Sequence, residues 1–291
     1  MIDDSEAGGE DRALAVPILS AWEKGTTAVE LAPHETRVWT VDLDAGVTSE
    51  DDLDGLAPEL ERAALSADEL ARADRFVRVR DRRRFVRCRA ALRQILGQLL
   101  ATSPDTVSFR AAGHGKPEVD WEAMGVAGMA NRPALQFNVS HSAGLGLIAV
   151  GTGGALGVDV EKVRPITEAE RIVASYFTPG ELAAFSAIGD ADKAVAFLRG
   201  WTRKEAILKG LGIGLAGLAT HYETWFGVST LTAGFVAATP LSRVGDWYLW
   251  DAAPRPGYVA ALAIHGVQPD VGSRDQQLAT DRVVGLPIMN P

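Results

Sequence analysis

This sequence of 291 residues predicts an α+β fold divided into two mixed halves. Three observations carry that expectation. Helical sequence dominates up to about residue 100; strand-like runs follow, then helical sequence, then strands again. A doubly wound parallel sheet would instead alternate strand and helix throughout. The chain is also long and apolar enough, at 47% hydrophobic and 23% charged, to bury a sizeable core without disulfide or metal staples. Finally, two helix-like stretches, 81–97 and 193–210, share a faint echo, Phe85-x3-Arg89 against Phe197-x3-Trp201. The echo hints at duplication without establishing a repeat, and no short period is visible.

The expected layout is an extension over 1–34, a first half over 35–152, a second half over 153–266 and a tail over 267–291. The extension holds one short candidate helix near 14–22. A strand is expected at 37–44, where Trp39, Val41 and Leu43 alternate with Thr40 and Asp42. Helix is expected over 51–100, with Ser66-Ala-Asp-Glu69 reading as a capping box. Strands follow at 136–139, 144–150 and 155–160, and Gly151-Thr-Gly-Gly154 reads as a hairpin link between the last two. Thr178-Pro-Gly-Glu181 has the cap, first-turn proline and first-turn acid of a helix start. A further helix is expected over 191–211, then strands at 231–237, 247–252 and 258–265.

Charge narrows the function class. With 29 Lys and Arg against 38 Asp and Glu, the net charge is −9, a poor background for a dedicated nucleic-acid binder. The single cysteine, Cys88, permits no intrachain disulfide. The acidic start lacks a signal-peptide n-region. The longest uncharged run, 133–158, is interrupted by Asn138, Ser140, His141, Ser142 and many glycines, so no bilayer span is expected. These readings predict a soluble cytoplasmic protein with neither nucleic acid nor membrane among its partners.

Three segments carry chemistry. In Gly157-Val-Asp-Val-Glu161 the strand period puts Asp159 and Glu161 on one face and Val158 and Val160 on the other. Two carboxylates about 7 Å apart repel unless a cation lies between them. A hard divalent ion such as Mg²⁺ fits, but the segment alone favours a solvent-facing polar stripe. In Trp201-Thr-Arg-Lys-Glu-Ala-Ile-Leu-Lys209 the helical period aligns Trp201, Glu205 and Lys209. Glu205 and Lys209 could be an ordinary surface pair worth about 0.2–0.5 kcal/mol. Joined to the strand carboxylates, however, they offer a third acid and a phosphate-facing ammonium. Gly113-His-Gly-Lys-Pro117 and Asn138-Val-Ser-His-Ser142 combine small residues, hydroxyls and cations, the equipment of a phosphate site.

In this order, Asn138-Val-Ser-His-Ser142, Gly157-Val-Asp-Val-Glu161 and Trp201-Thr-Arg-Lys-Glu-Ala-Ile-Leu-Lys209 resemble the signature motifs of the 4′-phosphopantetheinyl transferases, in their larger, Sfp-type branch. Gly115-Lys-Pro117, the Arg-rich helix around Arg84 and Pro256-Gly-Tyr-Val-Ala-Ala-Leu-Ala263 extend the resemblance over about 35–266. It implies two similar halves about a pseudo-twofold axis, with a coenzyme A cleft between them. It also implies transfer of the phosphopantetheine arm of coenzyme A to a serine of an acyl or peptidyl carrier protein, giving adenosine 3′,5′-bisphosphate. The resemblance further implies a place in secondary metabolism, with fatty-acid, polyketide and nonribosomal-peptide carriers all open.

By the same resemblance, Asp159, Glu161 and Glu205 hold Mg²⁺, with Mn²⁺ an open alternative. Glu205, or a water held by Glu161, takes the serine proton, and Lys209 meets the departing phosphate. Arg84, Lys116, Pro117, Ser140 and His141 contact coenzyme A, and Lys204 assists or is structural. The Arg-dense run from Arg72 to Arg93 offers a local basic patch for an acidic carrier, and relatives of this branch are generally monomers. One departure stands out: Glu69 lies where many relatives carry lysine. A non-catalytic coenzyme A- or carrier-binding scaffold and a Mg²⁺-dependent phosphohydrolase are the alternatives; RNA binding through the Arg-rich run comes last, because the run offers only Phe76 and Phe85 for stacking.

Overall fold

The computed structural model describes residues 31, 35–46, 59–112, 115–125, 135–214, 221–227 and 242–266. The candidate helix near 14–22, the strand expected at 231–237, the tail over 267–291 and the Gly113-His114 part of the glycine-rich segment lie outside them. The described residues form an α+β structure. Its first half contains β1 (Thr36–Asp42), α1 (Glu59–Ala63), α2 (Ala67–Ala73), α3 (Val79–Leu99), β2 (Phe109–Ala111), β3 (Pro117–Val119), β4 (Gln136–Ser142) and β5 (Leu145–Gly151). There follow β6 (Leu156–Lys162), α4 (Ala169–Tyr176), α5 (Pro179–Ser186), α6 (Asp190–Leu211), β7 (Ser242–Val244), β8 (Trp247–Ala252) and β9 (Tyr258–His265).

Local signals explain many of these boundaries. Ser66 accepts from the Glu69 N–H at 3.3 Å while Glu69 reaches back to the Ser66 N–H at 3.1 Å, which starts α2. Thr178 and Glu181 start α5 in the same way. Helix α6 ends where Gly212 turns left-handed, at φ 72°. The long helical region read from the sequence is three helices in its described part, and α4, the β2–β3 pair and β7 were not anticipated.

All strand pairing among the described residues is antiparallel: one sheet in the order β1-β5-β4, one pair β2-β3, and one sheet in the order β6-β9-β8-β7. This corrects one expectation. Gly151–Gly154 does not close a hairpin; β5 pairs with β1 and β4, and β6 begins the other sheet against β9. The actual hairpin is β4–β5, where Ser142 pairs with Leu145 and Ala143 takes a positive φ of 48°. Glycine richness marks a sharp change of direction, and here that change carries the chain from one sheet to the next.

Strand β5 is buried along its whole length because both faces are covered. Ile148 and Val150 pack with Leu92, Ile95 and Leu96 of α3. Leu145, Leu147 and Ala149 pack with Val158, Val160, Ala260 and Leu262 of the second sheet. The far face of that sheet, at Ala261 and Ala263, packs against Ala206 and Ile207 of α6. The order of layers is therefore helix, sheet, sheet, helix. Each fully buried Leu or Ile contributes about 1.5–3 kcal/mol relative to exposure.

The edge strands β4 and β6 meet by an unusual device. Asn138 Oδ1 accepts the Val158 N–H at 2.9 Å, Ser140 Oγ the Val160 N–H at 3.3 Å and Ser142 Oγ the Lys162 N–H at 3.1 Å. Alternate side chains of one strand thus stand in for the backbone carbonyls that a neighbouring strand would supply, and bring β4 alongside β6.

Candidate active site

The site grows from the contact of β6 with α6. Val158 and Val160 face the core between the sheets, so the strand period turns Asp159 and Glu161 toward the helix. Gly157 lets that helix come close: a Cβ there would collide with the Ala206 carbonyl oxygen and the Gly210 backbone nitrogen. On α6, Trp201, Glu205 and Lys209 are half-buried at four-residue spacing while Thr202, Arg203 and Lys204 are buried. The face read from the sequence is the one that looks onto β6.

Lys209 Nζ donates to Asp159 Oδ1 at 2.6 Å and to Ser140 Oγ at 2.9 Å. The Ser140 hydroxyl donates to the same Asp159 oxygen at 2.7 Å. Asp159 is 4% exposed, and its second oxygen, Oδ2, is buried without a hydrogen-bond partner. Desolvation raises its pKa; Lys209 and Ser140 oppose that, while Glu161 adds to it. Burial also pushes Glu205 up to about 7, reinforced by Asp159 and Glu161 and opposed by Lys209. Glu161 Oε2 accepts from Ser142 Oγ at 2.7 Å and from Arg164 at 3.1 Å.

Does this site suit a divalent cation? Among the described residues, no three acids, histidines or cysteines stand together as a ready cage. The ammonium of Lys209 takes that place on Asp159. An orphaned buried carboxylate oxygen nevertheless points to a missing positive partner, and the donors are all hard oxygens, the preference of Mg²⁺. The residues fit the ion.

The coenzyme A candidates divide. Arg84 makes a two-point pair with Asp44, at 2.7 Å and 2.5 Å. His141 is exposed on β4 within the field of Arg84 and Lys209; its pKa is lowered by desolvation first and by these two cations next. Arg84 and Lys209 thus lie near His141, and their positive charge disfavours protonation of its imidazole. Lys116 instead donates to the carbonyls of Leu156, at 3.2 Å, and Gly210, at 3.0 Å, tying the start of β3 to β6 and α6; burial lowers its pKa. Pro117 opens β3 opposite Ala111.

Lys204 requires a correction. It is 0% exposed, bonded to Glu181 at 3.0 Å and to the Tyr222 carbonyl at 3.0 Å, and it lies over the Phe177 ring. That is a structural position in the core. Glu69, the departure noted above, is also structural: it pairs with Arg89 and Arg93 and caps α2. Within the Arg-dense run, Arg83, Arg87 and Arg93 are buried, while Arg75, Arg78 and Arg80 are exposed.

Sequence reasoning assigned no role to Asp44, Arg164, Asn138 or Ser142. The Asn138-x-Ser140-x-Ser142 alternation was a usable signal for the last two, since on a strand these three side chains share one face. Another cross-sheet tie, Arg255 to Asp42 at 2.9 Å, joins the β8–β9 turn to β1.

Comparison with known proteins agrees with this geometry. The family profile described as "4′-phosphopantetheinyl transferase superfamily" matches residues 155–263, and the one described as "4′-phosphopantetheinyl transferase, N-terminal" matches 58–152. The 4′-phosphopantetheinyl transferase HetI of Nostoc sp. (strain PCC 7120) is 34% identical over 250 residues, covering 84% of this chain and 94% of that one. The 4′-phosphopantetheinyl transferase AcpT of Escherichia coli (strain K12) is 28% identical over 142 residues, 46% of this chain and 73% of that one. The L-aminoadipate-semialdehyde dehydrogenase-phosphopantetheinyl transferase of Xenopus laevis is 26% identical over 171 residues, 57% and 54% respectively. This chain belongs to the 4′-phosphopantetheinyl transferase superfamily.

Proposed function

We propose that this protein moves the 4′-phosphopantetheine arm of coenzyme A onto a serine hydroxyl of an acyl or peptidyl carrier protein. The observation that carries this reading is the juxtaposition of Asp159 and Glu161 on β6 with Glu205 and Lys209 on α6, across a contact that Gly157 keeps close.

Asp159, Glu161 and Glu205 would hold Mg²⁺, or Mn²⁺ in its place. Bound there, the ion neutralises pyrophosphate charge during transfer. The carrier serine oxygen attacks the phosphorus that bears the pantetheine. The bond from that phosphorus to the bridging oxygen breaks, and adenosine 3′,5′-bisphosphate leaves with the electron pair. Glu205, or a water held by Glu161, accepts the serine proton; burial holds the Glu205 carboxyl up to about 7 without the ion, and a bound dication would lower it and favour the carboxylate that a base requires. Lys209, freed from Asp159, places its ammonium against the departing phosphate. Arg84 and His141 hold the 3′-phosphate end.

Two long helices, each packed on its own antiparallel sheet, support two related halves about a pseudo-twofold axis, divided between residues 152 and 153 with the substrate cleft at the junction. We further propose that it acts as a cytoplasmic monomer; among the described residues no helix is long and apolar enough to cross a membrane.

Intact-mass spectrometry of an apo carrier incubated with this protein, coenzyme A and Mg²⁺ tests the reading. A gain of one phosphopantetheine arm, lost with EDTA, is expected. Coenzyme A bound without transfer to any of several carriers would instead mark a scaffold, and coenzyme A cleaved without transfer a phosphohydrolase.

A further inference from the structure

The two serines of β4 do the same thing twice. Ser140 accepts the Val160 N–H and donates to Asp159. Ser142, two residues on, accepts the Lys162 N–H and donates to Glu161. In each case the backbone N–H occupies a lone pair of the hydroxyl, so its single proton is directed at the carboxylate one residue earlier on β6. The pattern extends back to Asn138, whose carbonyl accepts the Val158 N–H; the preceding residue there is Gly157, which has no side chain to hold.

We propose that Ser142 is a positioning residue for Glu161, aiming that carboxylate at the metal position as Ser140 aims Asp159. The proposal rests on the reading of the site given above. Its physical content is a contest at one atom. Glu161 Oε2 is shared between Ser142, on β4 beside the site, and Arg164, whose side chain is 55% exposed. The Ser142 bond leaves Oε1 available for the cleft. Without it, the Arg164 guanidinium is the remaining partner of Oε2, and it lies toward solvent. Loss of the hydroxyl should spare the fold, because the Lys162 N–H it satisfies lies at an exposed strand end where water can replace it.

Groups that orient a metal's ligands usually contribute 10–100-fold to metal affinity or activity. Ser142→Ala should therefore weaken Mn²⁺ binding to the coenzyme A-bound protein about tenfold, read directly from the electron paramagnetic resonance signal of free Mn²⁺. The metal concentration for half-maximal transfer should rise in parallel. The thermal midpoint should stay close to wild type. Ser142→Thr, which keeps the hydroxyl, should restore most of the metal affinity, and Arg164→Ala in the Ser142→Ala background should recover part of it.

Wild-type Mn²⁺ affinity in Ser142→Ala, with binding abolished in Asp159→Asn, would overturn the proposal and leave the function intact. Wild-type Mn²⁺ binding and turnover in Asp159→Asn would overturn the site assignment on which the proposal rests, whereas no transfer by the wild-type protein would overturn the function itself. If Ser142→Ala misfolds, a folded Ser142→Thr that lacks metal affinity would also refute the assignment.

Discussion

Helix α6 carries two lysines five residues apart with opposite circumstances. Lys204 is sealed in the core, its ammonium shared between Glu181, the Tyr222 carbonyl and the Phe177 ring. Burial lowers its pKa, and Glu181 opposes that. Lys209 retains 29% of its side-chain exposure and lies on Asp159, whose other oxygen has no partner. Both lie in the same sequence motif, so residue type does not distinguish them. The difference lies in what surrounds each lysine: one is embedded in a closed set of partners, while the other faces a site whose charges are still unbalanced. A permanently satisfied cation supports the fold, and one that can exchange its partner is free for chemistry.

Four measurements sharpen or break that contrast. Glu205→Gln, on the half-buried face of the same helix that looks onto β6, should lower transfer by about 10²–10⁴-fold in a carrier-loading assay, with an unchanged circular dichroism spectrum. Lys204→Met should instead act on folding. It leaves Glu181 buried without its cation, a loss of about 3–5 kcal/mol in urea unfolding, which the added change Glu181→Gln, keeping an acceptor for Thr224, should restore in part. Unfolding unaffected by Lys204→Met would show that the core position of this lysine has been misread. Lys209→Ala should lower the turnover number by about 10²–10³-fold, with a smaller loss of unfolding stability than Lys204→Met, because Asp159 loses its cation but keeps the Ser140 hydroxyl. The smallest effect concerns Cys88, whose thiol burial pushes up to about 11. Native protein should not react with a thiol-specific disulfide reagent until denaturant is added.

Local chemistry was legible in the sequence. The strands at Trp247–Ala252 and Tyr258–His265 were read to the residue, as were the Ser66 capping box and the Thr178 cap, because alternation and capping are settled within a few neighbouring positions. The face shared by Trp201, Glu205 and Lys209 followed from helical period alone. Long-range pairing was not legible. A glycine-rich link between two apolar runs looks the same whether it closes a hairpin or passes the chain to another sheet. The partnership of Arg84 with Asp44 spans forty positions, and no local signal announces it. Ser142 was in view as part of a motif, but its hold on Glu161 depends on β4 and β6 lying side by side without a backbone ladder.

That junction has a consequence for how the chain reaches its folded state. A bare strand edge is a template on which another polypeptide can pair. Here two such edges, one from each sheet, quench each other through Asn138, Ser140 and Ser142. Strand β4 precedes β6 in the chain, so during synthesis the capping side chains emerge from the ribosome before the amides they cap. Truncations that remove β4 should yield a β6 sheet prone to self-association.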